Sequence, residues 1–350
     1  MNLFIFHGLI LFGFSMMIMP ETFAFEQTWS QSQSQSMLLM EPEIQTKKCR
    51  YFRDKTMLTC NCQSLNLAKI PSNLDRNIEV LDFSFNRLVT INKDTFSRFT
   101  SLKYLDLHDN FLKKIEDSAF DPLQDLMVLD LSNTLSEKLP KGLFNLPRLE
   151  KLYIEENELT EAIFKSEVTS PLTIIQASKN SIKKFPNFGP LPTLIYFNIS
   201  ENHIEKININ DIASYCKLKT LDLSKNPISF DDNTCDCQYF NSWIKHHNIT
   251  VRPNFQCSTK LHCMEKFTNE TLSLYQECEE IIKEKIKSEK AKSTWILVLS
   301  CVSGSLLCIF FILYCIHRRN KKRHRKLKKA QQLATTNANT ELLNGNQEQT

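Results

Sequence analysis

Apolar residues return along this chain in one repeated phrase. Leu102, Leu105 and Leu107 are followed by Asn110 and Leu112, and the same phrase restarts at Ile78, Leu102, Leu126, Leu149, Leu172, Leu194 and Leu218, 22 to 24 residues apart. The inner apolar pair holds throughout, as Leu81/Phe83, Leu105/Leu107, Leu129/Leu131, Leu152/Ile154, Ile175/Ala177, Phe197/Ile199 and Leu221/Leu223. Apolar residues at alternate positions predict a short strand buried on one face. Seven such units predict a solenoid whose coils bury their apolar faces against one another.

A polar position completes each unit. Asn86, Asn110, Asn157, Asn180, Asn202 and Asn226 stand where the chain must leave the strand, and a turn-forming Asn can hydrogen-bond the backbone there. Stacked from coil to coil, these amides predict a structural ladder that satisfies buried backbone groups, each of which would otherwise cost roughly 1–3 kcal/mol. Thr134 breaks the series, so the third coil is expected to be weaker or rearranged. Phe96, Phe120 and Phe144 recur before the next repeat and predict an aromatic column on the convex side.

With these residues the chain resembles the extracellular leucine-rich repeat family. The resemblance implies an α/β horseshoe, a parallel-β solenoid of about seven repeats with cysteine-rich caps. Over residues 49–278 it resembles the ectodomains of Toll-like and adhesion-type receptors. The 34 residues that follow the span described below are too few and too polar to fold as a Toll signalling domain, and the expected receptor lacks one.

The chain ends carry different signals. Leu3–Met19 is an apolar run followed by Pro20 and Thr22-Phe23-Ala24, which predicts a signal peptide over 1–24. A low-complexity linker (25–48, with Ser/Gln alternation from Ser30), an N-terminal cysteine cap (49–77), the repeats (78–228) and a C-terminal cysteine cap (229–278) follow. Residues 279–294 mix Glu and Lys and predict a short helical stalk. Trp295–Ile316 is 22 residues without a formal charge, enough to cross ~30 Å of hydrocarbon at ~1.5 Å per residue. Beyond it, a basic, disordered tail over 317–350 begins with nine Lys and Arg between Arg318 and Lys329. That block favours a cytosolic position, making the chain a type I plasma-membrane protein with its solenoid outside. It also changes the meaning of the net +4: the tail carries +7 and everything before it −3. Beside a membrane helix, the block implies contact with anionic lipid and not with nucleic acid.

Nine cysteines lie outside the span and three within it (Cys301, Cys308, Cys315). The nine cluster at the two ends of the solenoid, where open coils would expose core, and their number fits an oxidising exterior. Cys235, Cys237, Cys257 and Cys278 resemble the C-terminal flank of animal leucine-rich repeat receptors. That resemblance implies Cys235–Cys257 and Cys237–Cys278, with Cys263 able to replace either later partner. Cys49, Cys60 and Cys62 resemble an N-terminal flank with one cysteine missing, in which Cys49 bridges to Cys60 or to Cys62. An odd number leaves at least one of Cys60, Cys62, Cys216 and Cys263 free or bonded to a second chain, which leaves room for a homo- or hetero-dimer.

The candidate binding residues are those that project between the buried leucines: Phe85, Tyr104, His108, Asp109, Met127, Tyr153, Glu155, Glu156 and Tyr196. Seven coils ~4.8 Å apart give this surface roughly 30–35 Å, enough for an extracellular or cell-surface protein partner. Aromatics bordered by acids have the composition of an interface. Asp82, Asp106, Asp130 and Asp222 share one repeat position, which reads as structural. Sequons at Asn198, Asn248 and Asn269 predict glycosylation, and a glycan on Asn198 would cover the concave face near the sixth repeat.

Catalysis finds no support: no nucleophile elbow, phosphate loop or metal-ligand helix is present, and six Gly leave little material for phosphate-cradling turns. No cofactor is expected. His246, His247 and His262 near the cysteines match no zinc spacing, so no metal is expected either. The pattern predicts a recognition protein, either an adhesion molecule or co-receptor, or an innate-immune decoy or modulator.

Overall fold

The computed structural model describes residues 48–345 apart from 166–167, 260–262 and 264–266. The expected signal peptide, all but the last residue of the 25–48 linker, His262 and the final residues of the tail lie outside the described residues. Among the described residues, twelve strands form two sheets. In chain order they are β1 (Arg50–Asp54), β2 (Met57–Asn61), β3 (Val80–Asp82), β4 (Thr90–Ile91), β5 (Tyr104–Asp106), β6 (Lys114–Ile115), β7 (Val128–Asp130), β8 (Lys151–Tyr153), β9 (Ile174–Gln176), β10 (Tyr196–Asn198), β11 (Thr220–Asp222) and β12 (Thr250–Arg252). Ten pair in the order β1-β2-β3-β5-β7-β8-β9-β10-β11-β12, and β4 pairs with β6. From β2 onward the large sheet is parallel and in register, so Leu81, Leu105, Leu129, Leu152, Ile175, Phe197 and Leu221 form one buried row. This is the leucine-rich repeat horseshoe, with one strand per repeat lining its concave side.

The Asn side chains hold the coils to one another. Asn110 donates from Nδ2 to the Phe83 carbonyl of the previous coil (3.0 Å) and to Leu107 (2.9 Å), while its Oδ1 accepts from the Leu88 N–H (2.9 Å). Asn86, Asn157, Asn180, Asn202 and Asn226 repeat the arrangement, reaching the carbonyls of Cys62, Leu131, Ile154, Ala177 and Ile199. The residue before each ladder Asn takes a left-handed backbone: Phe85, Asp109, Glu156, Lys179, Glu201 and Lys225 all have φ between 51° and 56°. The third coil is rearranged. Thr134 Oγ1 donates to its own coil's Leu131 carbonyl and lies 2.9 Å from Ser136 Oγ, and Ser136 supplies the reach to the previous coil's Leu112 carbonyl (3.3 Å). Two residues, Asn133 and Leu135, are left-handed in this coil instead of one.

Behind the strands, Phe96 stacks on Phe120 at 5.8 Å, and Phe144 lies 6.4 Å from Phe188, which also touches Phe164, Phe197 and Tyr215. Both ends are closed. The β1/β2 hairpin covers the first coil, with β2 continuing the parallel sheet. At the other end, α1 (Ile209–Ala213) and α2 (Asp236–His246) close the last coils, and Phe240 and Trp243 of α2 are buried.

The disulfides correct the pairing that the flank resemblance implies. The bridges are Cys49–Cys62, Cys216–Cys278, Cys235–Cys263 and Cys237–Cys257. Cys237 is on the buried face of α2, and Asn241 one turn later donates to the Phe255 carbonyl, so this face is held against the segment carrying Cys257. Cys278 instead faces Cys216 from the third helix, α3 (Asn269–Gly345), and Cys263 takes Cys235. Cys60 is not bridged: it is a fully buried thiol 3.7 Å from Cys62 Sγ, raised in pKa by burial, and its burial keeps it from a second chain.

Helix α3 starts at a Thr268 cap, whose Oγ1 accepts from the Thr271 N–H, and it runs through stalk, span and basic block without a break. Sequence alone had the tail disordered; Lys, Arg, Ala, Gln and Leu are good helix formers and extend a helix already nucleated. It is the described helix long and apolar enough to cross a membrane.

Candidate concave recognition surface

Four columns of side chains cross the concave side. The first runs Val80, Tyr104, Val128, Lys151, Ile174, Tyr196 and Thr220, and the second Asp82, Asp106, Asp130, Tyr153, Gln176, Asn198 and Asp222. A third, two residues on, contains Ser84, His108, Ser132, Glu155 and Ser178, and the left-handed residues make a fourth along the rim. The sequence-predicted residues fall into separate groups on this grid. Phe85, His108 and Asp109 meet on the first two coils, where the exposed Phe85 ring packs edge-on against His108 at 4.7 Å, and Tyr104 stands on the same coil as His108, at the start of β5. Tyr153, Glu155 and Glu156 lie together on the fourth coil. Tyr196 stands on the sixth beside Asn198, and Met127 precedes β7 at the strand's entrance, level with Lys103 and Glu150. The three tyrosines are therefore two strands apart from one another and do not form a continuous line.

Polar contacts run between coils. Glu156 pairs with Lys179 (2.6 Å), Glu201 with Lys225 (3.1 Å) and Glu79 with Lys103, while Glu155 accepts from Ser178 Oγ (3.1 Å). Around His108 the balance is acidic. Its Nδ1 lies 2.6 Å from Asp106 Oδ1 and its Nε2 3.7 Å from Asp109 Oδ2. Burial alone would lower the His108 pKa, but the Asp106 hydrogen bond and the charges of Asp106, Asp130 and Asp109 outweigh it and hold the pKa up at about 9. Burial raises the Asp82 and Asp130 carboxyls, and the neighbouring Asp106 charge adds to both. Each of these acids also holds the backbone N–H two residues on, as Asp82 does Ser84, Asp106 His108 and Asp130 Ser132. Asn198 does the same for Ser200, and its Nδ2 donates to Gln176 Oε1 (3.3 Å).

Reading one repeat at a time missed two features. The Asp column, whose shared repeat position the sequence shows, brings its acids around His108, which only the stacking of the coils reveals. Phe85, Val89, Phe111 and Leu135 are all 42–48% exposed on the rim of the first three coils, where Phe111 and Leu135 follow ladder positions in consecutive coils. The sequons Asn248 and Asn269 are exposed, the first in the turn after α2 and the second at the start of α3.

A family profile described as leucine rich repeat matches residues 100–159. The human CD180 antigen is 51% identical over 49 residues, 14% of this chain and 7% of that protein. Toll-like receptor 4 of Bos taurus is 35% identical over 210 residues, 57% of this chain and 24% of the receptor. This chain thus spans a quarter or less of these curated relatives. The crystal structure of the mouse RP105/MD-1 complex aligns with a TM-score of 0.40 and 25% identity, over 49% of this chain and 29% of that one. The seven-fold phrase, the in-register parallel sheet and the Asn ladder give the chain a leucine-rich repeat fold, and residues 100–159 match the family profile.

Proposed function

We propose that this protein is a cell-surface receptor-like recognition protein that holds an extracellular protein against the concave face and rim of coils one to four. The observation that carries the reading is the composition of that region: Phe85, Phe111 and Leu135 are exposed on coils one to three, Tyr104 and Tyr153 stand on the strands of coils two and four, and Asp106, Asp109, Glu155 and Glu156 belong to the same coils. Apolar and aromatic anchors within a charged rim are what a desolvated contact needs. The apolar stretch of α3 supports membrane attachment, and the basic block after it supports a type I orientation. Of the two roles open to such a protein, innate-immune modulation is favoured over general adhesion, because the relatives include CD180 and Toll-like receptor 4.

The test displays the chain on cells and probes it with a library of secreted and cell-surface proteins, beside a Tyr104→Ala/Tyr153→Ala variant and a Phe111→Asp variant. A partner bound by the parent and lost, by tenfold or more in affinity, in both variants at equal surface expression is the expected result. A partner indifferent to both would move the binding site off this face.

A further inference from the structure

Two neighbouring coils bring an imidazole and two carboxylates together. Asp106 and Asp130 are paired across β5 and β7, His108 lies two residues beyond Asp106, and one ligand atom from each of the three lies within 4.8 Å of the others. His108 Nδ1 and Asp106 Oδ1 share a proton at 2.6 Å, and a cation held at about 2.0–2.1 Å from each needs the two to move slightly apart. A fourth donor is adjacent. Ser132, partly buried, occupies the position one coil on from His108, and its hydroxyl does not make the short bond to its own coil's acid that the equivalent hydroxyls of Ser84 and Ser224 make to Asp82 and Asp222. Charge is not balanced either: Asp82, Asp106, Asp109 and Asp130 surround one imidazole, and the nearby Lys103 is taken by Glu79.

We propose that Asp106, His108 and Asp130 bind a divalent transition-metal ion of the zinc class, with the Ser132 hydroxyl as a neighbouring donor. One imidazole nitrogen with a few carboxylate oxygens suits such an ion better than calcium, which takes six to eight oxygens, or magnesium, which keeps most of its water. The ion replaces the proton between His108 and Asp106, with ligand distances of about 2.0–2.1 Å that side-chain rotation supplies. Asp109, near Nε2, orients the ring from outside, as acids behind metal-binding histidines do. Three protein ligands leave a coordination position open on the concave side, for water or for a side chain of a bound protein.

Zinc chloride titrated by calorimetry into the full chain in detergent micelles, after stripping with chelator, tests this without any partner. The expected result is a saturable site of one equivalent, weakened at least about tenfold by His108→Gln and by Asp130→Asn, and unchanged by His246→Gln/His247→Gln, which removes the cap's imidazole pair. Melting curves in chelator establish that each variant is folded. Absence of a one-equivalent site in the unsubstituted chain overturns the proposal with no variant needed, as does a site that survives in a folded His108→Gln protein.

Discussion

Asn110 joins two coils through one side chain, satisfying the Phe83 and Leu107 carbonyls and the Leu88 N–H in a position only 2% exposed. Truncation leaves those groups buried without partners, at roughly 1–3 kcal/mol for each that water cannot reach. Asn226 makes the same bonds in the last coil but is partly exposed, so water replaces much of what is lost. Asn110→Ala is therefore expected to lower the melting temperature by several degrees more than Asn226→Ala; equal losses would mean that the ladder does not stabilise the coils in this way. The ladder was legible in sequence because its geometry repeats with the chain. So was the break at Thr134, but not its repair: that Ser136 takes over the inter-coil contact, and that Leu135 turns left-handed and is exposed, depends on how two coils stack. The shared repeat position of Asp82, Asp106 and Asp130 was legible and reads as structural, but that His108 sits among them depends on how the coils stack.

Among the elements, the seven repeat strands were predictable from alternation and the caps from cysteine density, while the β1/β2 hairpin, the β4/β6 pair, β12 and the bridges were not. Cysteine spacing cannot say which face of α2 is buried, and that face decides that Cys237 meets Cys257 and leaves Cys278 to Cys216. The junction between α2 and α3 also contains a titratable contact. His247 lies 4.1 Å from the Trp243 ring and 4.4 Å from Tyr275 of α3, with His246, Lys219 and Glu279 as its charged or titratable neighbours. Burial, then the neighbouring His246, lowers its pKa below the ordinary 6.5, against the pull of Glu279. The unfolded chain then takes up the proton first as pH falls through 6.5, so this group's contribution to stability is present at neutral pH and is lost on acidification. Melting curves from pH 7.5 to 5 are expected to show a smaller acid loss for His247→Phe than for the parent. An equal loss would place the acid sensitivity elsewhere.

At the scale of the whole molecule, charge and sugar test the same orientation from opposite sides of the membrane. The nine basic residues between Arg318 and Lys329 follow the apolar span directly, whereas the Lys residues before it are interspersed with Glu, an asymmetry that favours the proposed cytosolic C-terminal side. Asn269, the first residue of α3, precedes Trp295 by 26 residues, about 39 Å at the helical rise, which places its sequon clear of the hydrocarbon. Asn248 is exposed in the turn after α2. With the solenoid outside, endoglycosidase treatment of intact cells should lower the apparent mass, and Asn248→Gln and Asn269→Gln should each remove part of that shift. Asn198 differs: it stands in the second concave column beside Tyr196, so a glycan there would cover coil six while leaving coils one to four open. Asn198→Gln is then expected to leave partner binding unchanged, since the Phe85, Tyr104 and Tyr153 region is two or more coils away. Gained or lost binding in that variant would extend the recognition surface to the C-terminal half of the horseshoe, and an enzyme-resistant chain on intact cells would reverse the orientation.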